Sequence, residues 1–171
     1  LMTENEFKRM SNAGELKNYK VIHLSSHAMV HPYIFELSSI AFSVFPTPQN
    51  NEDGMLTVSE MEKLNIKTDF MMLSACQTGL GKIVHGEGIS GLNQAMLTAG
   101  ANSTVSTLWS VSDYGSYIFT ANLYHKVFKL AMSYDKAVNE VKRDFIKGTF
   151  DKEGFNGKEV QYWAPFIYNG K

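Results

Sequence analysis

Phe70-Met71-Met72-Leu73 is an unbroken apolar run that ends in Ser74-Ala75-Cys76. A strand with water on one face alternates apolar and polar residues. A continuous run instead suits a strand buried on both faces, as in a parallel sheet covered by helices. The neighbouring segments agree. Val21-Ile22-His23-Leu24-Ser25-Ser26 is β-rich and ends in small polar residues. Residues 103–109 read as another strand and 163–168 as a last short one, where Pro165 argues for an edge or a strand start.

Helical patterns lie between these runs. Residues 3–16 predict a helix opened by Thr3, with Glu6 at capping-box spacing. Residues 59–64 predict a short helix with Ser59 as N-cap and Glu62 at the reciprocal position. Residues 89–99 place Leu92, Ala95, Met96 and Ala99 on one helical face, and Gly100 stops the helix. Two more helices are read over 118–130 and 134–150. Strands alternating with helices predict an α/β fold with a mainly parallel sheet. Residues 32–52 differ: they hold three of the four prolines, and 33–37 and 40–45 read as strand pieces of a hairpin-like excursion with a mobile tip. Residues 56–58 read as a brief strand.

At 171 residues the chain is read as a single domain, 1–171, around one core. With 44% apolar and 19% charged residues it is globular in composition. A net charge of −1 provides no field of one sign, so neither direct nucleic-acid contact nor an anionic membrane is expected as a partner. No apolar run nears the ~18 residues of a membrane span. Glu4, Glu6, Lys8 and Arg9 interrupt any signal-peptide pattern. The single cysteine allows no internal disulfide and points to a reducing, cytoplasmic setting.

In parallel sheets ligands bind beyond the carboxyl ends of the strands. His27 follows the first predicted strand, Cys76 the long apolar one and Asp113 the third. Three reactive or charged side chains would then share one rim. A thiolate is the nucleophile of cysteine catalysis, and an imidazole close in space generates or stabilises it. The Ala28 and Cys76 N–H groups are candidates for an oxyanion hole. Each residue also has a plainer reading. Cys76 fits a buried small hydrophobe, and His27 a structural histidine. Asp113 fits a helix N-cap. His23, on the same side of its strand as Ser25, reads as a core or supporting histidine. His31, before Pro32, is a weaker rival, and His85 and His125 read as loop and helix surface. The dispersed histidines have no zinc spacing, and the glycines at 79, 81, 86 and 88 form a loop without the lysine of a phosphate cradle. No metal or cofactor is expected.

The ordered stretches Tyr19–Ala28 (with His23-Leu24-Ser25-Ser26-His27), Leu73-Ser74-Ala75-Cys76-Gln77-Thr78-Gly79, Gly86-Glu87-Gly88-Ile89, Ala99-Gly100-Ala101, Ser106–Asp113 and Tyr162-Trp163-Ala164-Pro165-Phe166 resemble the CHAT family. This is a bacterial branch of caspase-like cysteine peptidases related to separase. The resemblance implies a caspase-like three-layer α/β/α sandwich, with the first strands of the full domain lacking in this chain. It implies a dyad of His27 and Cys76, which stand 49 positions apart; caspases space theirs by roughly 50. It places Asp113 where separase-like relatives carry an acidic residue that receives a basic P1 side chain. One departure is Ala28, where the family usually has glycine. The family further implies a cysteine endopeptidase acting on a protein substrate at the C-terminus of a larger protein. An upstream tetratricopeptide-repeat region or a partner would switch it on. The alternatives are a catalytically silent interaction module of the same fold, and acyl transfer other than proteolysis.

Overall fold

The computed structural model describes residues 2–31, 33–44, 52–75 and 87–170. Its central sheet joins β1 (Val21–Ser26), β5 (Phe70–Ala75), β6 (Ser103–Thr107) and β7 (Phe166–Gly170), in the order β1-β5-β6-β7. β1, β5 and β6 run parallel to one another, and β7 closes the edge antiparallel to β6. The apolar run is central, as its composition requires: Phe70, Met71, Met72 and Leu73 are all buried.

Side-chain alternation along a strand divides these residues between two layers. Met71 and Leu73 join Ile22 and the partly buried Leu24 on one face. That face is covered by α1 (Glu4–Asn12), α2 (Val58–Met61) and α3 (Glu87–Thr98) through Phe7, Val58, Met61, Leu92, Ala95 and Met96. Phe70 and Met72 join the other face, under α4 (Asp113–Phe128) and α5 (Tyr134–Lys147), with Phe119, Leu123, Val141 and Phe145. Phe119 stacks on Phe166 of the edge strand, with ring centroids 3.6 Å apart. The result is an α/β sandwich of three layers with a mainly parallel sheet, the caspase-like arrangement expected.

A smaller antiparallel sheet joins β2 (Ala28–Met29), β3 (Ser39–Ala41) and β4 (Met55–Thr57), and buries Ile40 and Leu56 in the first layer. The expected strand over 33–37 is instead a turn containing a 3₁₀ segment, Phe35–Leu37. His31 Nδ1 accepts the N–H groups of Tyr33 and Ile34, so the backbone finds a local partner in place of a ladder. The expected tip, 45–51, lies outside the described residues.

Several boundaries move for identifiable reasons. The N-cap of α2 is Thr57, not Ser59: Thr57 is extended at the end of β4, and it and Glu60 form a reciprocal capping box. Both Thr57/Glu60 and Ser59/Glu62 have that spacing; the end of the strand decides between them. Helix α4 starts at Asp113, five residues earlier than its apolar pattern suggested, because Ser112 Oγ accepts the Gly115 N–H at 3.1 Å. The chain before β7 is a short helix, α6 (Val160–Trp163), so the last strand starts only after Pro165. Helix α3 ends where expected: Gly100 has φ +111°, which a Cβ-bearing residue adopts only with strain.

Helix α1 is tied to β4 and α2 by charge. Glu4, 1% exposed, accepts the Gly54 N–H and pairs with Lys8 at 2.6 Å. Lys8 also binds Glu52 and Glu60, each at 2.7 Å. Burial works against the ammonium charge. The three carboxylates outweigh it and hold the Lys8 pKa above the ordinary lysine value.

Candidate active site

Val21, His23 and Ser25 of β1 occupy one face of the sheet with Phe70, Met72 and Ser74 of β5. At one end these positions are apolar and packed under α4 and α5. Toward the carboxyl ends they become imidazole and hydroxyl. There the core gives way to a cleft of about 630 Å³ between the strand ends and the first turns of α4. The strands contribute His23, Ser25, His27 and Ser74, and α4 contributes Asp113, Ser116, Tyr117 and Thr120.

Two of the three predicted rim residues therefore meet on one cleft. His27 sits at the junction of β1 and β2, exposed, with its ring on the cleft wall. Asp113 faces the same space from the first turn of α4. It is not the helix N-cap, since Ser112 holds that place. As the first residue of α4 its carboxylate is favourably placed against the helix dipole. Cys76 and the glycines at 79, 81 and 86 lie outside the described residues, as does His85. Strand β5 ends at Ala75, in register with Ser26, the residue before His27.

Ala28 is buried and begins β2. The Ala41 N–H donates to the His27 carbonyl at 2.8 Å. That makes 27 and 41 the bonded pair, and the alternation of an antiparallel ladder then turns the Ala28 N–H away from β3. Ala28 is not among the residues with positive φ. A side chain at this position therefore costs the backbone nothing, and the departure from glycine leaves its N–H unspent by the ladder.

The remaining histidines separate clearly. His31 is occupied by its own turn. His125 is on the exposed surface of α4. His23, by contrast, lies on the cleft: its Nε2 is 2.9 Å from Ser74 Oγ, and its ring is edge-on to Tyr124 at 5.9 Å. The ring edge is open to the cleft, yet enough protein surrounds it that burial lowers its pKa and favours the neutral imidazole. Burial and the nearby Tyr134 push the Tyr124 phenol up to about 12. Asp113 is the one carboxylate among the described residues lining the cleft, and no lysine or arginine accompanies it there.

The partnership of His23 with Ser74, and the contributions of Ser116, Tyr117 and Thr120, were not read from the sequence. The alternation His23/Ser25/His27 beside Met72/Ser74 is the signal for the first, once the two strands are taken as parallel neighbours. Nothing in the sequence points to the α4 residues: the helix was expected to start after Ser116 and Tyr117, and Thr120 within it belongs to no motif. Among the described residues, Glu4, Glu52 and Glu60 lie close enough to share a cation, but the Lys8 ammonium already bonds all three.

The family model described as CHAT domain matches residues 2–171, nearly the whole chain. No curated protein matches it.

Proposed function

This chain belongs to the CHAT-domain family, and from that premise we propose that it is a cysteine endopeptidase whose Cys76 and His27 cleave a protein partner. The observation that carries the reading is the register of β1 on β5, which ends both strands at one cleft.

In this reading His27 takes the proton of the Cys76 thiol, and the thiolate attacks the substrate carbonyl carbon. The Ala28 and Cys76 N–H groups bind the oxyanion that forms. His27 then protonates the departing amine, the peptide bond breaks, and water hydrolyses the thioester. Asp113, with no lysine or arginine beside it among the described residues of the cleft, is suited to an arginine or lysine side chain at P1. A partner or an upstream tetratricopeptide-repeat region switches the activity on. Ala28 is not among the residues with positive φ, so its Cβ is compatible with an oxyanion hole, which supports this reading over a silent interaction module.

The test is labelling by a peptidyl chloromethyl ketone with arginine at P1, located by mass spectrometry, beside cleavage of candidate protein substrates. The expected result is label on Cys76, less label with aspartate at P1, and no cleavage by Cys76→Ala. Cleavage that persists in Cys76→Ala would sink the reading.

A further inference from the structure

In the β1–β5 register His23 stands opposite Met72, not Ser74. Its imidazole nevertheless reaches diagonally to the next position on the same face, where Nε2 meets Ser74 Oγ at 2.9 Å. The two strands end shortly beyond, at Ser26 and Ala75. Strand ends open more readily than strand centres, because fewer contacts and ladder bonds hold them. A side-chain bond from one strand to the other, just before both end, opposes that opening. Ser74 is two residues before Cys76, and His23 four before His27.

We propose that His23 is a positioning residue: by its hydrogen bond to Ser74 it holds the ends of β1 and β5 in the register that presents His27 and Cys76 to each other. This rests on the reading of Cys76 and His27 as a dyad. His23 does not replace His27 as the base. Four residues of strand put it roughly 13 Å back from His27 along β1, at about 3.3 Å per residue.

The ring's surroundings suit a fixed, uncharged link. Tyr124 of α4 packs against it edge-on, and Thr120 lies on the same cleft. Among the described residues, the titratable groups facing the cleft from the neighbouring elements are His27 on β1's continuation and Asp113 and Tyr117 on α4. In neutral His23 this bond forms in either tautomer: a bare Nε2 accepts the Ser74 hydroxyl hydrogen, and a protonated Nε2 donates to Ser74 Oγ. No positive charge then competes with the His27 imidazolium for the thiolate.

The chain has a single cysteine, so alkylation by iodoacetamide reports on Cys76 alone. Its rate is measured against pH for the wild type and for His27→Ala, His23→Ala, His23→Gln and Ser74→Ala, with urea unfolding to establish that each is folded. His27→Ala tests the dyad itself: the alkylation midpoint should rise to the ordinary thiol value of about 8.5. His23→Ala and Ser74→Ala should each raise it part of the way, with a rate at pH 7 lower by about 10-fold. Their double variant should be no worse than either single one. His23→Gln, which keeps an amide within reach of Ser74, should restore the wild-type profile. If His23→Ala does not fold, Ser74→Ala and His23→Gln carry the test. Wild-type midpoints in folded His23→Ala or Ser74→Ala, with His27→Ala shifted, overturn the positioning role and leave the dyad standing. An unmoved midpoint in His27→Ala overturns the dyad and the positioning role with it.

Discussion

The two faces of the central sheet are built from the same two strands yet end differently. On the face under α1 and α3, Ile22, Leu24, Met71 and Leu73 stay apolar along the strands. On the face under α4 and α5, Val21 and Phe70 lie in the core, but His23, Ser25 and Ser74 line the cleft. One face is core as far as Leu24 and Leu73, with Ser26 at its end reaching the cleft, and the other changes chemistry partway. The difference teaches where function can be placed in such a fold. A strand contributes alternate residues to each side, so one face can be given over to a site while the other keeps the sheet anchored.

Substitutions can break this comparison. The largest effect is expected deep on the divided face: Phe119→Ala removes a fully buried ring stacked on Phe166 and should cost about 3–5 kcal/mol in urea unfolding. A loss under 1 kcal/mol would mean that this half of the face is not a close-packed core. Away from the sheet, Lys8→Met leaves the 1%-exposed Glu4 without its cation and should cost about 3 kcal/mol near neutral pH. The sign of its pH dependence follows from the raised Lys8 pKa. Folding favours the protonated lysine, so its contribution is complete below the unfolded value of 10.5 and fades as pH rises above it. Wild type should lose stability over that alkaline range, and Lys8→Met should lose less; equal slopes would deny the lysine its role.

The cleft end should behave in the opposite way. Ser25→Ala, on the exposed floor, should change stability by no more than about 0.5 kcal/mol. A larger loss would make Ser25 part of the core and erase the distinction between the two ends of the face. The smallest effect concerns His23. Its folded pKa is lowered, so the unfolded chain binds the proton more readily, and stability falls as pH drops below the ordinary 6.5. Urea midpoints at pH 5 and pH 7 should therefore differ more in wild type than in His23→Gln. Equal differences would show that the imidazole is solvated in both states.

Legibility followed the physical range of each signal. The buried run at 70–73 is a signal of its own residues, and it correctly announced a sheet covered on both faces. Helix α3 and its stop at Gly100 were equally local. The start of α4 was missed because Tyr114 to Tyr117 carry no strong apolar stripe, and Ser112 is one of several serines that could cap. The turn at 35–37 was read as strand because its apolar residues fit one; what bends it is His31, whose ring binds backbone two and three residues on. His27 and Asp113 were both picked out from their places after strands, and both line the cleft. Cys76 was picked out on the same ground, and its role stands as a proposal with its own test.

By itself the sequence determined the layers. Apolar patterning names which residues must leave water, and covering a continuous run on both sides admits few arrangements. It also determined the chemical inventory: one thiol, five imidazoles and a carboxylate after the third strand. Only the tertiary structure decided which of these could meet. Strand order and register set the distance between side chains far apart in the chain, and they paired His23 with Ser74, 51 positions away. They also brought His27 and Asp113 to one cleft and turned His31 and His125 elsewhere. The physical reason is that burial is a property of each residue and its near neighbours, whereas a site is a property of distances that only the packed sheet defines.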